Sequence, residues 1–179
     1  MHIKAYAESW PIRGQFTISR GSKTQADVIV VEFQKNGHKI GWGEAVPYKH
    51  YGETIEGSLA LIDNMRERLE KGVTRIDLLH LMPPSSARNA IDCALWDMEA
   101  KQMQKPVWEL AGLKKPQNCI TAYTISFKSA EEMRQDALQN AHRPLLKLKL
   151  ATSADLDRIK EVRKSAPESR IIVDANEAW

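Results

Sequence analysis

Two regimes of periodicity divide the chain. Over about its first 46 residues, apolar and polar positions alternate as in half-buried strands. The run HIKAYAESWPI comes first. ADVIVVEFQKNGHKIGWGEAVP follows, with two apolar strands flanking Asn36-Gly37, a dipeptide suited to a tight hairpin turn. The pairing predicted there is antiparallel. Between them lies RGQFTISRGSKTQ, polar and with two glycines, which reads as a mobile loop of the kind that touches ligands.

Helical spacing takes over next. ETIEGSLALIDNMRERLEKG sets Ile55, Leu59, Ile62 and Leu69 near one stripe and stops at Gly72, a C-cap. RIDLLHLM is a short helical piece closed by Pro83-Pro84. SSARNAIDCALWDMEAKQMQKP starts on Ser85 or Ser86 as cap and ends before Pro106. Ala87, Ala90, Ile91, Ala94, Leu95 and Met98 give it an apolar face with a small-residue seam, predicting close approach by another element. PVWELAGL adds a last turn or two.

From about residue 117 the pattern becomes strand, helix, strand, helix, strand. NCITAYTISF reads as a strand, and SAEEMRQDALQNA as a helix with a capping box of Ser129 and Glu132. PLLKLKLA is the next strand. SADLDRIKEVRKSAP is a helix carrying Leu156, Ile159 and Val162 on one face, and RIIVDAN is a third strand. Such alternation requires right-handed crossovers and parallel strands, either in an open doubly wound sheet or at the start of a closed barrel.

Polar residues decide between the two. On the strand PLLKLKL, Leu146, Leu148 and Leu150 form one row, and Lys147 and Lys149 form the other. An open doubly wound sheet is covered by helices on both faces, which is hostile to two ammonium groups. In a (β/α) barrel the second face is the interior, and its upper end opens into the active site. Asp174, at the last position of RIIVDAN, lies one βα unit beyond Lys149, so all three side chains should converge on one mouth. A carboxylate there is a hard oxygen donor suited to Mg²⁺. Taken singly, a lysine near a strand end is usually a solvated group, and Asp-Ala-Asn often only caps a helix. The matched parity of the three residues weighs against both of those plain readings.

Composition narrows the class. With 179 residues, 42% hydrophobic and 27% charged, the chain has the apolar mass for a core. Its formal charge of +3 is spread without a basic block, which disfavours nucleic acid as a partner. Cys93 and Cys119, in runs that read as helix and strand interior, fit neither a zinc pattern nor a disulfide framework. No signal peptide or membrane-length apolar run is visible, so the expectation is a cytoplasmic protein with no membrane partner. The five histidines form no HExxH-like cluster, and Gly41-Trp42-Gly43 lacks the strand-to-helix setting of a dinucleotide loop. The five tryptophans read as core and interface. The end at Trp179, just past a strand, leaves an open sheet edge and the expectation of an aggregation-prone fragment.

GWGEAVPYKHYGET, ARNAIDCALWDMEAK, PLLKLKL and IIVDANEAW together resemble the enolase superfamily. Within it, the likeness is to the muconate-lactonizing-enzyme-like subgroup and its L-Ala-D/L-Glu dipeptide epimerases. It runs the full length of the chain. The resemblance implies an α+β capping domain over residues 1–115, followed by the first βα units of a modified (β/α)7β TIM-like barrel over 116–179. It implies Mg²⁺ as cofactor and a small dipeptide as substrate, with a homo-oligomer left open. Lys149 is similar to one of two general bases facing the substrate Cα, and Lys147 to its partner beside the carboxylate. Asp174 resembles the first of three acidic metal ligands, and Thr124 a substrate-touching threonine. Arg20, in FTISRGS, is similar to an arginine that reads an acidic side chain. The remaining metal ligands and the opposed lysine would lie beyond residue 179, so the 179 residues alone are expected to be inactive.

The chemistry accounts for these residue types. Removing a proton alpha to a carboxylate creates an enediolate, which needs cations around it. A lysine base must be neutral to act, and a like charge close by favours that form. Rival functions within the subgroup are N-succinylamino acid racemase, o-succinylbenzoate synthase and muconate cycloisomerase; a non-catalytic binding barrel is the rival from another class.

Overall fold

The computed structural model describes residues 1–178, which pack as two compact units. Residues 1–10 and 25–116 form the first, and residues 11–24 join residues from 117 onward in the second. The sequence led us to expect a single cut near residue 115. Instead the arm of residues 11–24 groups with the second unit.

That arm is also where the sequence reading needs its main correction. The expected mobile loop RGQFTISRGSKTQ is extended: β1 runs His2–Ile18, turns at Ser19 and Arg20, and β2 runs Gly21–Lys35. The arm's residues are exposed or half-buried throughout, so no apolar row marks it as strand.

In the first unit the sheet order is β1-β2-β3, with β3 spanning His38–Ala45. The β2–β3 hairpin turns at Asn36 (φ 51°) and Gly37 (φ 77°), the left-handed pair that Asn-Gly predicts. Six consecutive β2 residues, Val28 to Phe33, are buried. Ile29, Val31 and Phe33 face the helical core, while Glu32 lies on the other face under Tyr6, whose phenol donates to it at 2.7 Å, and Lys39. Burial acts to raise the Glu32 pKa, but the hydrogen bonds from Lys39, Tyr6 and Gln34 outweigh it and hold the carboxyl below its usual value. The Tyr6 phenol is pushed up to about 12, chiefly by its bond to that carboxylate.

Helices α1 (Ile55–Lys71), α2 (Arg75–Leu81), α3 (Ser86–Met103) and α4 (Val107–Leu110) complete the unit. Their caps follow the sequence: Thr54 and Ser85 accept at the N-termini of α1 and α3, Thr74 and Asp77 form a capping box, and Gly72 ends α1 at φ 104°. Ile62 and Leu69 of α1, and Ala87, Ala90, Ile91, Ala94 and Leu95 of α3, join Ile3, Ile29, Val31 and Phe33 in one core. The small-residue seam of α3 meets β3 where Gly41 and Gly43 stand. A Cβ on Gly41 would collide with the carbonyl oxygen of Ala94, and one on Gly43 with that of Ala90. These glycines are therefore required by backbone-to-backbone approach.

In the second unit β4 (Tyr123–Ile125), β5 (Leu145–Lys149) and β6 (Arg170–Asp174) form a parallel sheet of that order. Helices α5 (Ala130–Gln139) and α6 (Asp155–Ser165) supply the crossovers. Ser129 and Glu132 form the expected capping box. Ile125, Leu146, Leu148 and Leu150 pack on Met133, Ala137, Val162 and Ala166. The expected first strand is shorter than NCITAYTISF, and Leu156 is exposed, not part of the apolar face of α6. Cys93 and Cys119 are both exposed. Among the described residues no helix is long and apolar enough to cross a membrane. The first unit is thus an antiparallel sheet covered by helices, and the second is the opening of a parallel βα series.

Gly43→Ala should destabilise the first unit by about 1–3 kcal/mol, because the new methyl meets helix backbone that cannot rotate away. Urea unfolding with an unchanged midpoint would refute the close-approach account.

Candidate active site

The parallel register sets the site. Thr124 pairs with Lys147, Lys147 with Ile172, and Lys149 with Asp174. The leucine row of β5 is committed to α5 and α6, so Thr124, Lys147, Lys149 and Asp174 share the opposite face. The lysines thus point away from the covering helices, as the barrel reading of the sequence requires.

One carboxylate holds both ammonium groups. Asp174 Oδ2 accepts from Lys147 Nζ and from Lys149 Nζ, each at 2.8 Å. Asp174 Oδ1 accepts the Asn176 N–H at 2.9 Å. Lys149 is the deeper lysine, with its side chain 8% exposed against 33% for Lys147. Its Nζ also donates to Asn176 Oδ1 at 2.9 Å and lies 5.7 Å from the centre of the Phe16 ring. Hydrogen bonds from Lys147 first, then Lys149 and the Asn176 amide, hold the Asp174 carboxyl well below the usual carboxylate range. Two ammonium groups against one carboxylate leave these three residues with a net positive charge, which favours an anionic ligand.

Thr124 is half-buried beside Lys147 in the register. Arg20 forms a 2.7 Å ion pair with Glu177, and the neighbouring Ser19 hydroxyl donates to the Asn176 carbonyl at 3.3 Å. The structure therefore joins Lys147, Lys149 and Asp174 directly, sets Thr124 on their face, and brings Arg20 to the turn after β6. Phe16, Asn176 and Glu177 were missed by the sequence reading. Asn176 and Glu177 follow the strand with φ of 49° and 64°, where strand parity no longer locates side chains. Only the proximity of Asn176 to Asp174 in sequence hinted at it.

For a hard divalent cation, Asp174 offers a suitable oxygen donor. Among the described residues no three His, Cys, Asp or Glu side chains group as a metal cage, so this chain's fit to such a cation is that of a single carboxylate ligand.

The family model for the mandelate racemase / muconate lactonizing enzyme N-terminal domain matches residues 1–112. The chain belongs to that family, within the enolase superfamily. It is 40% identical over 179 residues to the L-Ala-D/L-Glu epimerase of Escherichia coli K12, covering 99% of this chain and 56% of that protein. It is 37% identical over 156 residues to an N-acetyl-D-glutamate racemase from a Pseudoalteromonas species, covering 85% and 48%. A solved enolase family member from Agrobacterium tumefaciens, with homology to dipeptide epimerases, superposes with a TM-score of 0.93 at 46% identity, covering 99% of this chain and 54% of that one. That structure holds sodium and L-Ala-L-Glu with an ordered loop. The dipeptide epimerase of Enterococcus faecalis, crystallised with Mg and L-Leu-L-Tyr, superposes with a TM-score of 0.87 at 27% identity, covering 99% and 54%. The chain spans about half the length of these relatives.

Because the folded Asp174 carboxyl titrates below its ordinary value near ~3.9, its stabilising contribution is fully present above that value. The contribution is lost as pH falls from about 4 through the folded pKa. Carbon-13 NMR of the Asp174 carboxyl should show a midpoint well below the ordinary aspartate value. A midpoint in the ordinary range would refute the shared-carboxylate geometry.

Proposed function

We propose that the chain contributes a capping domain (residues 1–115) and the opening barrel strands (116–179) of a Mg²⁺-dependent epimerase in the cytoplasm. Its substrate is a dipeptide of the L-Ala-D/L-Glu type, epimerised at the C-terminal residue. The convergence of Lys147, Lys149 and Asp174 at the ends of two parallel strands carries this reading. Lys149 exchanges the Cα proton on one face of the substrate. Lys147 lies beside the carboxylate, where negative charge develops as the proton leaves. Asp174 is a metal ligand, and when bound the cation supplies charge stabilisation to the substrate carboxylate. Thr124 lines the same face, and Arg20 reads the acidic side chain through a two-pronged contact. Epimerisation also needs an acid on the opposite face, which the described residues do not supply.

A second reading is racemisation of an N-acylated glutamate, supported by the likeness to N-acetyl-D-glutamate racemase. Glutamate is common to both readings and suits Arg20 equally. They part at the acyl group on the glutamate nitrogen, which bears an ammonium in the dipeptide and only a methyl in the N-acetyl compound. Comparing turnover of L-Ala-D-Glu with that of N-acetyl-D-glutamate separates them.

In the full-length protein, Asp174→Asn should weaken Mg²⁺ binding at least tenfold and leave the fold intact. Calorimetric titration showing equal affinity would overturn the metal role.

Lys149→Ala should abolish epimerisation in both directions, since every turnover needs a base and an opposed acid. Exchange of the α-proton with deuterated solvent should survive for one epimer only. Lys147→Ala should slow exchange for both. Proton NMR of L-Ala-D-Glu and L-Ala-L-Glu in heavy water reads all three outcomes, and equal residual exchange of the two epimers in Lys149→Ala would return that lysine to an electrostatic role.

A further inference from the structure

The arm of residues 11–24 is tied to its unit at two points of different character. Its inner part is held by the turn after β4, where the Phe127 N–H donates to the Thr17 carbonyl at 3.1 Å and the Ser126 hydroxyl to the Gln15 carbonyl at 3.5 Å. Its tip is held by the turn after β6, through Ser19 to the Asn176 carbonyl and through the Arg20–Glu177 ion pair. The first tie includes a backbone bond. The second rests on side chains, the Ser19 hydroxyl and two charged groups that are 33% and 64% exposed.

The backbone at the second tie is held at a cost. Asn176 and Glu177 both occupy the left-handed region, and a glutamate there is unusual. Asn176 is fixed by its amide to Lys149, its N–H to Asp174 and its carbonyl to Ser19. That anchoring presents Glu177 to the Arg20 guanidinium.

We infer that the Glu177 carboxylate is an internal stand-in for a ligand's side-chain carboxylate, holding Arg20 at the strand ends until an acidic ligand displaces it. The inference rests on the proposed function for the identity of that ligand. It makes Glu177 a specificity-determining residue. A ligand carboxylate and Glu177 compete for one guanidinium, so apparent affinity falls by the fraction of protein in which Arg20 is released. An ion pair of this exposure favours the held arrangement by about two- to fivefold. A ligand with a neutral side chain gains nothing from releasing Arg20 and bears no such competition.

The test uses Glu177→Gln, which keeps shape and removes charge. In the full chain without ligand, hydrogen exchange of the amides of residues 15–22 should quicken about two- to fivefold in the variant at low salt. At about 0.5 M salt the wild type should approach the variant, which should itself change little. Equal exchange in the two proteins at low salt overturns the latch. In the full-length protein, calorimetry should show L-Ala-L-Glu binding the variant about two- to fivefold more tightly than wild type, with L-Ala-L-Leu unaffected. Equal affinity of the two proteins for L-Ala-L-Glu overturns the stand-in role even if the arm loosens. If neither dipeptide binds either protein while the exchange difference persists, the dipeptide reading falls and the Arg20–Glu177 latch stands.

Discussion

Everything at the strand ends depends on one carboxylate shared between two ammonium groups. Lys147 and Lys149 stand on the same face of β5, and without a counter-ion their mutual repulsion would add to the cost of enclosing Lys149. Asp174, directly opposite Lys149 on β6, meets both at 2.8 Å. The pairing of β5 with β6 and the electrostatics of the site therefore support each other. A one-residue slip in the register would send Asp174 to the helix side and leave both lysines uncompensated.

The same constraint explains why the leucines matter to the chemistry. Leu146, Leu148 and Leu150 are fully buried against α5 and α6, which fixes the rotation of β5 about its own axis. With that face committed, the intervening lysines have one direction left. Apolar packing thus aims the polar groups, and Asn176 and Phe16 then restrict the motion of the deeper one.

This division also shows what could be read from the sequence. The lysine row and Asp174 were legible because a strand has a period of two and its apolar row was unambiguous. The α3 seam was legible because alanines recur at helical spacing. The arm of residues 11–24 was not: a two-stranded ribbon whose residues are at most half-buried leaves no clear hydrophobic alternation to find. Glu177 escaped because it lies past the strand end, where left-handed backbone turns its side chain in a direction that strand periodicity cannot specify. Leu156 misled because apolar spacing on a short helix does not reveal how far the covering layer extends.

The seam between β3 and α3 has a mechanical consequence. Most joints between a sheet and a helix are cushioned by side chains that can change rotamer and absorb a displacement. At Gly41 and Gly43 nothing lies between the strand and the helix backbone of Ala90 and Ala94. That joint has no slack. Strand and helix must move as one lever, and a push on either end of α3 reaches β3 undamped.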